Sequence, residues 1–202
     1  MYFHIQLIDH PAYSGRRAQS REDHWGYFDD FRDHFIARGA TSTDDGTRTL
    51  SSILFVEFEG WDEVHKFVDN EPHNKNGVYD NIRINRWSHA LGRTQREFPR
   101  TNNQLCWYIR GFSTPDRNDQ RNELVDAHRA YFAGYDAENF IVRGGVLDED
   151  GACWQGSANL IVLPSRADVD VFLAREPFYR NGLYDEVLVE RYKFGGRPGQ
   201  IV

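Results

Sequence analysis

Two stretches of this chain carry the same alternation of apolar and polar positions. Tyr2 to Asp9 is a short, apolar-rich run ending in charge, matched by Leu105 to Phe112, and each reads as a strand. A polar loop follows. From about Arg21 to Arg38 the spacing of His24, Phe28, Phe31 and Phe35 (i, i+4, i+7, i+11) predicts a helix with these side chains on one face. Ser20 with Asp23 resembles a capping pair at its start, and Gly39 marks its end. A short strand then runs to the turn at Asp44-Asp45-Gly46, and Ile53 to Phe58 forms a third strand. A second helix spans roughly Trp61 to Asn70, closed by Glu71-Pro72 and Asn76-Gly77, and Asn81 to Trp87 is the last strand.

The pattern recurs because the sequence does. Glu71-Pro72-His73-Asn74-Lys75-Asn76-Gly77-Val78-Tyr79-Asp80 matches Glu176-Pro177-Phe178-Tyr179-Arg180-Asn181-Gly182-Leu183-Tyr184-Asp185 at six of ten positions. The same offset pairs Arg38-Gly39 with Arg143-Gly144 and Asp45-Gly46 with Asp150-Gly151. One residue less pairs His24 with His128 and Tyr27-Phe28 with Tyr131-Phe132. The chain is a tandem duplication. Residues 1–88 form the first repeat, 89–103 a polar linker containing Pro99, and 104–202 the second repeat. Each repeat reads strand–helix–strand–strand–helix–strand, an α+β, ferredoxin-like βαββαβ unit. Such a unit leaves one sheet face bare, and the second copy is there to cover it. The expectation is an intrachain pseudo-dimeric α/β barrel with its helices outside.

Composition narrows the function classes. Hydrophobic residues make up 40% of the 202 positions and aromatics 14%, enough for a stiff core. The net charge of −7, with arginines scattered among acids, argues against nucleic acid as a partner. Cys106 and Cys153 form no disulfide framework, and no run is long enough to span a bilayer, so the reading is a cytoplasmic protein with no membrane partner. No glycine-rich loop follows a strand in a way that cradles phosphate, and no histidine spacing matches a metal motif. Neither cofactor nor metal is expected.

The candidate chemistry centres on His24 and His128, which interrupt the apolar helix face at the same point in both repeats; imidazole exchanges protons near neutral pH. The competing reading is a core histidine bonded to backbone. Arg86 and Arg191 share strand faces with Ile82 and Ile84, and with Val187 and Val189, and need an anionic partner: an internal acid or a substrate carboxylate. Arg38 and Arg143 divide in the same way, with a helix C-terminal charge as the alternative. His4 lies on the first strand with Tyr2 and Gln6, Tyr27 and Tyr131 recur on the helix, and all three are candidate pocket residues. Glu71 and Glu176 read as shaping the turn after the second helix.

The segment Glu176 to Tyr192, an acidic residue and proline, then Gly-aliphatic, then a strand ending in an aromatic, resembles the closing segment of YCII-related domains of the dimeric α/β-barrel superfamily. A histidine early in the first helix is similar to that family's pattern. The resemblance implies a His–Asp active site, but arginine stands where the partner aspartate is expected. It also implies cofactor-independent acid–base chemistry (isomerisation, elimination or ring opening) on a small anionic, aromatic-derived catabolite. A non-catalytic ligand-binding or structural module and a cofactor-free monooxygenase of a phenol stay open. The expected partners are a small carboxylate substrate and, as an open alternative, a second copy of the pseudo-dimer in a homodimer.

Overall fold

In the computed structural model, which describes residues 1–13, 15–101 and 104–200, strand β1 (Tyr2–Asp9) shows why the barrel forms. Phe3, Ile5 and Leu7 point to one side and are fully buried, while His4 and Gln6 point to the other and are buried as well. A strand covered on both faces needs a helical layer outside and a second sheet inside. The rest of the first repeat supplies the helical layer: α1 (Arg16–Gln19), α2 (Arg21–Asp30), α3 (Trp61–Asn70) and α4 (Pro72–Lys75). Strands β2 (Phe35–Ser42), β3 (Thr49–Glu57) and β4 (Tyr79–Trp87) complete its sheet.

The second repeat follows with β5 (Cys106–Phe112), α5 (Asn118–Ala133), β6 (Phe140–Leu147), β7 (Trp154–Val162), α6 (Arg166–Arg175), α7 (Pro177–Arg180) and β8 (Glu186–Phe194). The eight strands close in the order β1-β3-β2-β8-β5-β7-β6-β4. Two antiparallel seams join the repeats: β2 with β8, from Gly39↔Phe194 to Ser42↔Arg191, and β4 with β6 at Arg86↔Leu147 and Trp87↔Val146. Closure removes every sheet edge. At the seams Gly39 and Gly144 are required, because a Cβ there would run into the Lys193 and Ser88 carbonyls of the facing segments.

The core has one layer per interface. Phe3, Ile5, Leu7, Phe28, Val64 and Phe67 fill the space between the first sheet and its helices, and Trp107, Ile109, Phe132, Val169 and Phe172 do so in the second repeat. Ile53, Phe55, Trp87, Tyr108, Leu160 and Tyr192 mix both repeats inside the barrel. The expected intrachain α/β barrel is therefore the observed fold.

Boundaries differ in one informative place. The first helix stops at Asp30, and Phe35–Ser42 is strand β2, so Arg38 and Arg143 sit on strands and not at a helix C-terminus. Phe35, Ile36 and Ala37 are buried in succession; an apolar run that short is compatible with either period. The register shifts between Phe35 and Ala37, and again between Phe140 and Val142, so the same bulge recurs in both repeats. Strand β3 also begins earlier than its apolar residues suggest, because Ser51 is buried and its hydroxyl pairs with Thr41 Oγ1 at 2.6 Å. The linker packs onto the barrel: Gln95 accepts the Arg38 N–H at 3.1 Å and donates to the Arg38 carbonyl at 3.2 Å. Among the described residues no helix is long and apolar enough to cross a membrane.

Candidate active site

Each repeat places a histidine of its first long helix against the glutamate that begins its last short one. His24 Nδ1 donates to Glu71 Oε1 at 2.6 Å, and His128 Nδ1 donates to Glu176 Oε1 at 2.6 Å. Both glutamates are buried, while the histidine side chains keep 12% of their surface. The local sequence explains the placement. Glu71 precedes Pro72, which starts α4 without needing its own N–H, and the carboxylate caps that helix by accepting the backbone N–H groups of His73 at 3.0 Å and Asn74 at 2.9 Å. Glu176 does the same for Phe178 and Tyr179 at 3.0 and 2.7 Å. The turn-shaping role expected of these residues is thus half of what they do. The other half, orienting the histidine, has one signal in the sequence: a Glu-Pro pair that recurs with a histidine in both repeats.

In the neutral imidazole, a carboxylate on Nδ1–H leaves Nε2 as a bare lone pair. Among the described residues neither His24 nor His128 has a partner for that atom. His24 opens on a cleft of about 510 Å³ that also contains Arg17, Arg21, Arg38, His73 and, from the other side of the seam, Lys193. Arg38 is 2% exposed, donates to Asp29 at 3.2 Å, and keeps a buried Nη1 with no hydrogen-bond partner. The Arg17 guanidinium grips Asp9 with two bonds of 2.5 and 2.6 Å. His128 opens on the equivalent cleft of the second repeat, about 130 Å³, with Arg121, Arg143, Trp154 and Phe178.

His73 is a site residue that the sequence alone did not single out. Its ring stacks on His24 at 4.1 Å, 8° from parallel, and its Nδ1 bonds the Ser20 hydroxyl at 2.7 Å. Ser20 begins α2 but makes no side-chain cap, so the capping pair expected with Asp23 is replaced by this contact. Burial first, then the stacked His24 ring and the guanidinium groups of Arg17 and Arg21, push the His73 imidazole down to about 2, so it stays neutral. His24, Glu71 and His73 offer ligand atoms within 4.8 Å of one another. Three N–H donors already occupy the Glu71 carboxylate, however, and arginines line the cleft, an environment that suits an anion better than a metal cation.

The remaining candidates lie elsewhere. Arg86 Nη1 donates to the Asp150 carbonyl at 3.1 Å, and Arg191 lies against Gly46, so each arginine braces the hairpin turn of the other repeat and lines neither histidine cleft. The hydroxyls of Tyr27 and Tyr131 donate to the carbonyls of Phe67 and Phe172 at 2.9 Å, tying helix to helix. Burial and the nearby Glu71 push the Tyr27 phenol up to about 12, which fits a locked donor. His4 is enclosed in the barrel, where its Nε2 and Tyr108 Oη are 2.9 Å apart. Burial, followed by Arg110 and Arg83, holds it far below the usual imidazole range.

The fold and the paired clefts define a class: a one-chain version of a dimeric, ferredoxin-like α/β barrel with a His–Glu pair in each half. The profile of the YCII-related domain matches residues 1–88 and again 107–193, and the chain belongs to that family. No curated protein matches it. Chlorite dismutase from Candidatus Nitrospira defluvii is similar in fold, with 9% identity, 95% of this chain and 90% of that one covered, and a TM-score of 0.57. A heme-binding protein from Thermus thermophilus is similar at 12% identity, with coverage of 95% and 90% and a TM-score of 0.57. The 5-chloro-2-hydroxyhydroquinone dehydrochlorinase TftG from Burkholderia phenoliruptrix AC1100, solved with 2,5-dihydroxybenzoquinone, is 30% identical over 46% of this chain and 99% of its own, with a TM-score of 0.42.

Proposed function

We propose that the chain is an enzyme that moves a proton on a small, flat, unsaturated anion, in an isomerisation, elimination or ring-opening step. The observation that carries this reading is the 2.6 Å bond between His24 and Glu71, repeated at His128 and Glu176, with the other imidazole nitrogen unpartnered and facing a cleft lined by arginine. In the first repeat, His24 Nε2 takes a proton from a C–H or O–H group of the substrate. The Glu71 carboxylate stabilises the imidazolium that forms. The electron pair released moves onto a conjugated oxygen, where the free Nη1–H of Arg38 meets the developing charge. Return of the proton to another carbon completes an isomerisation. Departure of a leaving group with its bonding pair completes an elimination. Every proton and electron pair is accounted for by the dyad and the substrate alone, so the chemistry calls for no cofactor.

A second reading has its own support. Because Glu71 and Glu176 also cap helices, the pair contributes to the fold, as it would in a ligand-binding or structural module. A screen of ring-cleavage dienoates and hydroxyquinones with the parent, His24→Ala and His128→Ala separates the two. Turnover that falls at least about a hundredfold with a histidine supports the enzyme. Turnover equal in all three ends the histidine assignment.

A further inference from the structure

The two clefts occupy equivalent places but are no longer equivalent. Thr49 in the first becomes Trp154 in the second, and His73 becomes Phe178, whose ring stacks on His128 at 4.0 Å just as His73 stacks on His24. Trp154 meets Phe178 edge-on at 5.4 Å, and its indole stands where the first repeat has the smaller Thr49; the second cleft measures about 130 Å³ against about 510 Å³ for the first. Arg143 is held by Asp136 through two bonds of 2.5 and 2.7 Å, whereas Arg38 is held by Asp29 through one bond of 3.2 Å, and its Nη1 is buried without a partner. The two arginines differ in how firmly an acid holds them.

The hydrogen bonds behind the two stacked imidazoles also differ. His24 gives its Nδ1–H to Glu71, so its Nε2 is an acceptor. Ser20 Oγ accepts from Asn76 Nδ2 at 3.4 Å and lies 2.7 Å from His73 Nδ1; in the tautomer where the hydroxyl donates to Nδ1, the ring proton of His73 sits on Nε2. In that tautomer the first cleft presents a bare nitrogen and an N–H donor on neighbouring rings, with a guanidinium N–H nearby. That set reads a hydroxyl beside an oxyanion.

Resting on the acid–base reading, we infer that the first-repeat cleft is the working site, that it selects flat rings carrying a hydroxyl next to an oxyanion (catecholates and hydroxyquinones), and that His73 is the specificity-determining residue. The second repeat keeps the dyad as part of its fold.

The test is a spectrophotometric titration of the full chain with 4-nitrocatechol, and with 4-nitrophenol as the analogue lacking the neighbouring hydroxyl. The expected result is one equivalent of 4-nitrocatechol per chain, bound about tenfold more tightly than 4-nitrophenol, as for one added hydrogen bond. His73→Phe, which installs the residue that the second repeat already accommodates, removes that preference while 4-nitrophenol binding persists. Two equivalents per chain, an unchanged preference in His73→Phe, no binding of either compound, or binding that appears only with added Zn²⁺ overturns the proposal. Failure here leaves the dyad itself to be judged by the turnover of His24→Ala, so the two claims fall separately.

Discussion

Replacing Glu71 by glutamine separates what this residue does for the fold from what it does for chemistry. The carboxylate is fully buried and accepts three N–H groups, from His24, His73 and Asn74. An amide keeps one acceptor oxygen and turns the other position into a donor. Whichever way it sits, a buried N–H is stranded, either that of Asn74 or the pair on Oε1. One stranded group costs about 1–3 kcal/mol, which for a chain of this length lowers Tm by about 3–10 °C. Glu176→Gln disrupts the same three contacts in the second repeat and is expected to cost a similar amount. Activity is where the two part: loss of the orienting carboxylate in the working cleft lowers kcat about 10²–10⁴-fold, from the wrong tautomer and an unstabilised imidazolium. Circular-dichroism melts and turnover of the two variants side by side provide the assay. A Glu71→Gln protein as stable as the parent would refute the geometry, and one as active would refute the role.

Three further outcomes are expected. His73 is held neutral well below its unfolded value, so its contribution to stability is present above about pH 6.5 and is lost as pH falls toward about 2, at no more than about 1.4 kcal/mol per pH unit. Urea midpoints measured from pH 7 to pH 4 therefore fall less steeply in His73→Phe, with enclosed His4 accounting for part of the remaining slope; an unchanged slope contradicts the buried state of His73. Gly39→Ala drives a methyl into the Lys193 carbonyl at the β2–β8 seam and lowers Tm by several degrees, whereas Gly26→Ala, with open space around it, does not; equal melts contradict the closed barrel. Cys106 is buried and its thiol is pushed up to about 11 by that burial, so a thiol reagent at pH 8 modifies Cys153 first, and mass mapping showing the reverse contradicts the packing.

Much of this was legible in the residues because a duplication states each pattern twice. The matched Glu-Pro and Asn-Gly segments fixed two βαββαβ units, and two bare sheet faces on one chain have one economical solution, the barrel. The helix-to-strand boundary between Asp30 and Phe35 was not legible, since consecutive buried residues erase the contrast between periods of 3.6 and 2 on which sequence reading relies. His24 and His128 stood out as polar interruptions of an apolar face. Their partners did not, because Glu71 and Glu176 lie 47 and 48 positions away and look like helix-cap residues, which they also are. Arg86 called for a partner, and it proved to be the Asp150 carbonyl in the opposite repeat's hairpin, while Arg191 lies against Gly46 of the matching turn; both placements exist only once the barrel closes. The inequality of the clefts rests on single substitutions, Thr49 against Trp154 and His73 against Phe178, whose meaning depends on the space around them.

The most direct test of the account compares kcat/KM for His24→Ala and His128→Ala on whichever hydroxylated ring compound the parent turns over. A loss of at least about a hundredfold in His24→Ala, with His128→Ala melting lower but retaining most of its turnover, is the predicted result. Equal turnover in the two variants, or a loss confined to His128→Ala, would contradict it.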